Sequence, residues 1–368
     1  MKRNILLNPG PGTTSQTVKS ALVVPDICPR EMEFGQLMEG IRKDLVRVVH
    51  GGDEYTAVLF AASGTGGVEA AITSAVPHGK KILVVENGAY GTRMVQIAQA
   101  FGIETVRYLI PYGDYPDIRA IEELIGQNPG ISHLAVVHHE TTTGMLNPVA
   151  QIAEVAGRHG IATIVDAISS YAGLPIDIAR MNATFLVSTS NKCIQGMAGL
   201  AFVICRKDAL GKLTPGSRGF YLDLPAQHRY FEEHLQTRFT PPVQVIYALR
   251  QALDEYFAET EQGRHQRYRE NWILLYRGMT GLGFRPLLNP EHESGILIAF
   301  CEPTDGSFSF KEMHDFLLLR GYTIYPGKGA AKKTFRLSVL GDLYRADITG
   351  FLAALEEWVS LKGIEFKY

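Results

Sequence analysis

Phe185-Leu186-Val187-Ser188-Thr189-Ser190-Asn191-Lys192 decides how this sequence reads, together with Ile164-Val165-Asp166 just upstream. Each stretch begins as an apolar, strand-like run and stops abruptly in polar or ionisable residues. Parallel strands deliver side chains in this way to the carboxyl edge of an α/β sheet, the edge where such sheets bind ligands. A lysine closing a buried strand can form a Schiff base when desolvation or cationic neighbours keep its amine partly neutral. An aspartate closing the neighbouring strand is the partner a pyridinium nitrogen requires. Taken singly, the lysine reads as a solvated loop residue and the aspartate as a helix N-cap. Their pairing gains meaning only with a phosphate cradle.

The chain supplies one upstream. Ala57-Val58-Leu59-Phe60-Ala61-Ala62 runs into Ser63-Gly64-Thr65-Gly66-Gly67-Val68-Glu69. The order strand, glycine-rich turn, helix start converges backbone N–H groups and a helix N-terminus where a phosphate could sit. The pattern is neither the Walker lysine loop nor the spaced dinucleotide fingerprint. Cradle, Asp166 and Lys192 together read as a pyridoxal phosphate site.

At 368 residues the chain can bury a sizeable core and divide into two domains. A formal charge of -2 gives no basic excess for nucleic acid. No apolar run spans a bilayer, and Met1-Lys2-Arg3-Asn4 leads into Ile5-Leu6-Leu7 without a signal-peptide pattern, so a soluble cytoplasmic protein is expected. Cys28, Cys193, Cys205 and Cys301 are scattered, and neither a structural disulfide nor a metal cluster is expected.

In chain order, Asn8-Pro9-Gly10-Pro11-Gly12 rules out helix and forms a fixed turn, either a plain arm or a lining of the site. Arg30, held by Pro29, is a surface arginine that could face an anionic substrate, and the spacing of Phe34, Leu37, Met38, Ile41 and Leu45 predicts a helix after it. From residue 80 onward strands over 82–85, 105–109, 134–138 and 162–165 alternate with helices over 92–101, 117–126 and 148–159. This predicts a mostly parallel sheet covered by helices on both faces, with function in the loops after strands. In those loops Tyr90 could stack on a flat ring, and Thr141, Thr142 and Thr143 could bond a phenolic oxygen; each could equally pack or cap a turn. One long helical region is expected from 244 to 279, with Arg264-His265-Gln266-Arg267-Tyr268-Arg269-Glu270 as its solvated face. The last hundred or so residues read as an α+β unit. There Arg336 interrupts an apolar strand and needs a partner, a structural or a substrate carboxylate, with Lys328, Lys332 and Lys333 just before it adding a positive field.

The ordered set of Pro9-Gly10-Pro11, Ser63-Gly64-Thr65-Gly66, Asn87-Gly88-Ala89-Tyr90-Gly91, Glu140-Thr141-Thr142-Thr143-Gly144, Val165-Asp166, Ser190-Asn191-Lys192 and Phe335-Arg336-Leu337-Ser338 resembles the class V aminotransferases of fold type I over nearly the whole chain. Within that class the Ile27-Cys28-Pro29-Arg30-Glu31 and Thr141-to-Pro148 stretches are most similar to the transaminases of 2-aminoethylphosphonate and pyruvate. The sister reading is an alanine:glyoxylate or serine:pyruvate aminotransferase, and a lyase or desulfurase on the same fold is a further alternative. The resemblance implies an N-terminal arm over 1–15, a large domain over 16–260 with a seven-stranded sheet, and a small domain over 261–368. It implies pyridoxal 5'-phosphate bound by Lys192 as Schiff-base lysine, Asp166 at the pyridine nitrogen, Tyr90 stacked on the ring, Thr141 near the ring, and Thr65, Gly66, Gly67 and Asn191 at the phosphate. Thr240 matches the position that reaches the phosphate from the partner subunit, so a homodimer with a shared site is implied. Arg336 matches the arginine that grips the substrate carboxylate.

Overall fold

The computed structural model describes residues 3–304, 306–327 and 333–368, so Lys328 and Lys332 of the basic loop lie outside the described residues. Runs of Val, Ile, Leu and Ala form seven strands in the order Tyr55–Ala61, Leu200–Arg206, Phe185–Thr189, Ala162–Asp166, Ile131–Val137, Lys81–Glu86, Glu104–Leu109. All neighbours pair in parallel except Leu200–Arg206, which runs against both of its partners. The inner strands are apolar along their length because helices cover both faces. Alternation then sorts side chains by face. Leu83, Val85, Leu134 and Val136 join one buried cluster, while Ile82, Val84, Ala135 and Val137 join the other.

Register carries the chemistry to one edge. Val137 lies opposite Asp166, and Asp166 opposite Val187, so the residues after these strands emerge side by side. A third core gathers strands Leu297–Cys301 and Thr334–Ser338 with helices Glu261–Gly281, Phe310–Leu319 and Arg345–Lys362. The N-terminal arm straps this unit to the large sheet. Leu7 O accepts from Ser338 N at 2.8 Å and Thr13 O from Asp342 N at 2.7 Å, while Gly12 N donates to Asn191 O at 3.2 Å.

Two expectations are corrected here. The region 244–279 is two helices, Val243–Glu259 and Glu261–Gly281, parted at Thr260, whose φ of 70° leaves the helical region and whose hydroxyl caps the second helix by accepting from Gly263 N at 3.1 Å. The charge run at 264–270 is not a solvated face throughout. Arg264 is 2% exposed and donates to Cys193 O at 3.0 Å and Glu259 Oε2 at 2.7 Å, and the buried Tyr268 hydroxyl accepts from Gln195 Nε2 at 2.8 Å and Gly341 N at 2.9 Å. A guanidinium can be buried when it pairs with a carboxylate and satisfies a carbonyl. Here that carbonyl belongs to the residue after Lys192, so this helix fixes the turn that presents the lysine.

Candidate active site

Asp166 ends its strand and is 5% exposed, with Oδ1 accepting from Ile168 N at 2.9 Å. Burial pushes its carboxyl up to about 7, against the pull of that amide and of nearby Arg93 and Lys192. Such a carboxyl favours a cationic partner, because ionising it without one leaves a desolvated charge. Lys192 follows its own strand by three residues. Burial lowers its ammonium to about 8, with Arg336 and Arg93 pushing the same way. Its Nζ donates to Pro9 O at 2.5 Å. Gly10, at φ 111°, passes so close to that side chain that a Cβ there would overlap the Lys192 amine and its carbons. The proline–glycine arm therefore lines the site.

Both side chains open into one cavity of about 150 Å³, lined also by Ser63, Gly64, Thr65, Tyr90, Arg93, His139, Ser169 and Asn191. Ser63 precedes helix Gly64–Ala75, whose leading amides, those of Gly64 and Thr65, come before the first helical hydrogen bond and carry the positive end of the helix dipole. The cradle at the cavity is Ser63, Gly64 and Thr65. Gly66 N and Gly67 N donate back to Ser63 O at 2.8 and 3.4 Å, and a Cβ on Gly67 would strike Val187, so this glycine serves helix–sheet packing. Asn191 is at the cavity, with Oδ1 accepting from Thr189 Oγ1 at 3.1 Å.

Tyr90 opens helix Ala89–Ala100 and is oriented by Glu140, a residue that sequence reasoning passed over. Glu140 Oε2 accepts from Tyr90 N at 3.1 Å and Gly91 N at 3.4 Å, and Oε1 from Thr142 N at 3.1 Å and Thr142 Oγ1 at 2.6 Å. Burial raises this carboxyl while the four donors oppose the rise. One acid thus caps a helix and ties it to the threonine loop.

Arg336 is 6% exposed on strand Thr334–Ser338. It donates to Pro326 O from Nε and Nη2, each at 3.1 Å, and to Thr141 O from Nη1 at 3.3 Å, and lies against the Tyr90 hydroxyl. Among the described residues no carboxylate pairs with it. The strand arginine therefore stands beside the site with carbonyls in place of a counter-ion.

Two predicted residues lie elsewhere. Arg30 is exposed and donates to Gln236 Oε1, Thr237 O and Arg238 O, so it braces the segment before Thr240 and does not line the cavity. Thr240 is exposed on that segment.

His139 and Arg93 line the cavity but escape sequence reasoning. His139 Nδ1 meets Ser169 O at 3.4 Å, so this nitrogen carries the proton and Nε2 is a bare acceptor. Burial holds the ring neutral, its pKa lowered to about 3. Nε2 and Thr141 Oγ1 are buried without a hydrogen-bond partner. These orphaned polar atoms, the paired acid and amine, and the helix-end cradle suit a flat heteroaromatic ring bearing a phosphate. His139 sits just past a strand end, a position that marks it as site-lining; Arg93 lies three residues after Tyr90 on one helix face.

The class-V aminotransferase family model matches residues 17–305. A 2-aminoethylphosphonate–pyruvate transaminase from Klebsiella pneumoniae subsp. pneumoniae is 44% identical over 355 residues, covering 96% of this chain and 96% of the relative. The enzyme of the same name from Salmonella typhimurium is 43% identical over 354 residues, 95% of this chain and 96% of the relative. Among solved structures, an alanine–glyoxylate aminotransferase from Nostoc sp. superposes with a TM-score of 0.89 at 25% identity, covering 97% of this chain and 95% of that one.

Proposed function

We propose, for a chain that belongs to the class-V aminotransferase family, that it moves the amino group of 2-aminoethylphosphonate to pyruvate, giving phosphonoacetaldehyde and L-alanine. The observation that carries the chemistry is the opening of Lys192 and Asp166 into one cavity beneath a helix N-terminus, with the unpaired Arg336 beside it. The substrate pair rests on relatives of that activity at 44% identity over nearly the full length.

The cofactor is pyridoxal 5'-phosphate. Lys192, Asp166, Tyr90, Thr141, Thr65 and Asn191, with Thr240 from a second copy, would hold it. When bound it supplies an electron sink for the pair released as the substrate carbon loses a proton.

The chain does the rest. Asp166, buried and in need of a cation, keeps a proton at the ring nitrogen. Lys192 Nζ, with its ammonium near 8, is basic enough to take the proton from the amine-bearing carbon and acidic enough to return one. Thr141 Oγ1, with no partner of its own, orients the ring oxygen. Arg336 offers a planar fork to the pyruvate carboxylate in the second half-reaction. Amine and acceptor use the site in turn, so the kinetics are ping-pong. No described helix is long and apolar enough to cross a membrane.

A desulfurase would need a mobile thiol at the substrate. Cys193, beside Lys192, is buried, donates to Ser169 O at 3.3 Å and has its thiol pushed up to about 12 by burial, and no cysteine lines the cavity.

The test is a half-reaction screen. The cofactor-loaded enzyme is mixed separately with 2-aminoethylphosphonate, alanine, serine and glycine while its visible absorption is followed. 2-Aminoethylphosphonate and alanine should bleach it fastest. Rapid bleaching by serine or glycine with none by the phosphonate would replace this reading by the sister activity.

A further inference from the structure

Two guanidiniums reach this site, and they differ in what surrounds them. Arg93 stands one turn beyond Tyr90 on helix Ala89–Ala100, so both side chains leave the same face. Its Nη1 donates to Thr65 Oγ1 at 3.0 Å, and its Cζ lies 4.8 Å from the Tyr90 ring centre. It therefore spans the first turn of the cradle helix and the aromatic residue at the cavity, and it lines that cavity. Among the described residues a neutral hydroxyl is its one hydrogen-bond acceptor and no carboxylate pairs with it. Five N–H donors facing one neutral acceptor leave room for an anion.

The local charges point the same way. Lys192, Arg93 and Arg336 face Asp166 and Glu140, and Glu140 is already saturated by four donors from its own loops. Two carboxylates facing three cations leave one positive charge in excess. The two arginines also divide by shape. Arg336 sits on strand Thr334–Ser338 among carbonyls, whereas Arg93 bonds Thr65 in the first turn of the cradle helix. Amides converging with a guanidinium match three oxygens around one centre, each taking its own donor.

We propose that Arg93 recognises a tetrahedral phosphorus oxyanion in this site while Arg336 takes the carboxylate. The inference rests on the function proposed above. A phosphate on the cofactor and a phosphonate on the amine share this chemistry.

Arg93→Gln and Arg93→Lys test it in two arms. In the first, cofactor-free protein is titrated with pyridoxal 5'-phosphate and with phosphate-free pyridoxal, and binding is read from quenching of protein fluorescence. In the second, loaded enzyme is mixed with 2-aminoethylphosphonate or alanine, and the concentration dependence of the absorbance change is measured. Arg93→Gln should weaken the phosphorus-bearing ligand tenfold or more in at least one arm, leave its phosphorus-free counterpart within twofold, and be partly rescued by Arg93→Lys. Loss in the first arm assigns Arg93 to the cofactor, and loss in the second to the substrate. Equal losses for both members of each pair, or no loss in either arm, would overturn the proposal. Should wild-type enzyme ignore 2-aminoethylphosphonate while Arg93→Gln still loses pyridoxal 5'-phosphate, the substrate reading falls and the role of Arg93 stands on the cofactor.

Discussion

Burial brings the Lys192 ammonium to about 8, so near pH 7 roughly a tenth of the chains carry a free amine there, against about one in three thousand for an ordinary lysine. The neutral form is the nucleophile. Capture of pyridoxal 5'-phosphate by cofactor-free protein should therefore accelerate about tenfold per pH unit below 8 and level off above it, whereas an unperturbed lysine would keep accelerating to about pH 10. Stopped-flow absorbance across pH 6 to 10 reads this directly. Lys192→Ala should leave no cofactor on the chain after borohydride reduction, and an undiminished covalent label would refute the assignment. Arg336 bonds only carbonyls and the Tyr90 hydroxyl among the described residues, so a substrate carboxylate would be its first full counter-ion. A charge-assisted bond of this kind contributes about 2 kcal/mol, so Arg336→Ala should raise the KM for pyruvate about thirtyfold. Cofactor affinity should change far less; equal losses in both would count against a substrate role.

At the scale of elements, Glu140 shows how one acid positions two loops. Its carboxylate accepts from the first turn of the helix that carries Tyr90 and from the threonine loop that carries Thr141. Glu140→Gln replaces an acceptor oxygen by an NH2 that must face N–H donors, which costs about 1–3 kcal/mol. The variant should unfold at lower temperature, and its affinity for pyridoxal 5'-phosphate should fall with it, since Tyr90 loses its anchor. Full affinity in a destabilised variant would show the acid to be purely structural. This acid also marks where legibility stops. Asp166 and Lys192 could be read because one ends an apolar run and the other follows one closely, and the mostly parallel sheet because apolar strand runs alternate with helix-patterned segments. The partners of Glu140 come from a helix start and a loop some fifty residues apart, and no local spacing announces that meeting. The break at Thr260 was hidden because the flanking sequence is good helix former on both sides. Burial of Arg264 was hidden because a run of charges looks the same whether it faces water or a carbonyl such as that of Cys193.

At the scale of the whole molecule, the proposed role of Thr240 calls for a second copy of the chain. Thr240 is exposed and does not line the Lys192 cavity of its own chain, yet the segment before it is firmly built: Arg30 donates to Thr237 O at 2.7 Å, and Thr237 Oγ1 to Phe239 O at 2.7 Å. Beside it Phe239 stacks on Tyr221 with centres 5.0 Å apart, Arg238 lies over Phe220 and Phe239, and Phe220 is 77% exposed. Exposed aromatics clustered on a braced loop are characteristic of a surface that another chain covers. A second copy placing Thr240 at the phosphate explains both features, and a two-fold dimer would repeat the arrangement in each site. Mixing two disabled proteins distinguishes this from a self-contained site. Lys192→Ala removes the amine, and Thr240→Glu sets an anion against the phosphate. In a mixed dimer one site carries both lesions and the other carries neither. Co-refolding equal amounts should therefore restore about a quarter of wild-type activity, since random pairing makes about half the dimers mixed and half the sites in those are intact. If each site were complete within one chain, Thr240→Glu, which lies outside its own cavity, would be active by itself and mixing would add nothing to it.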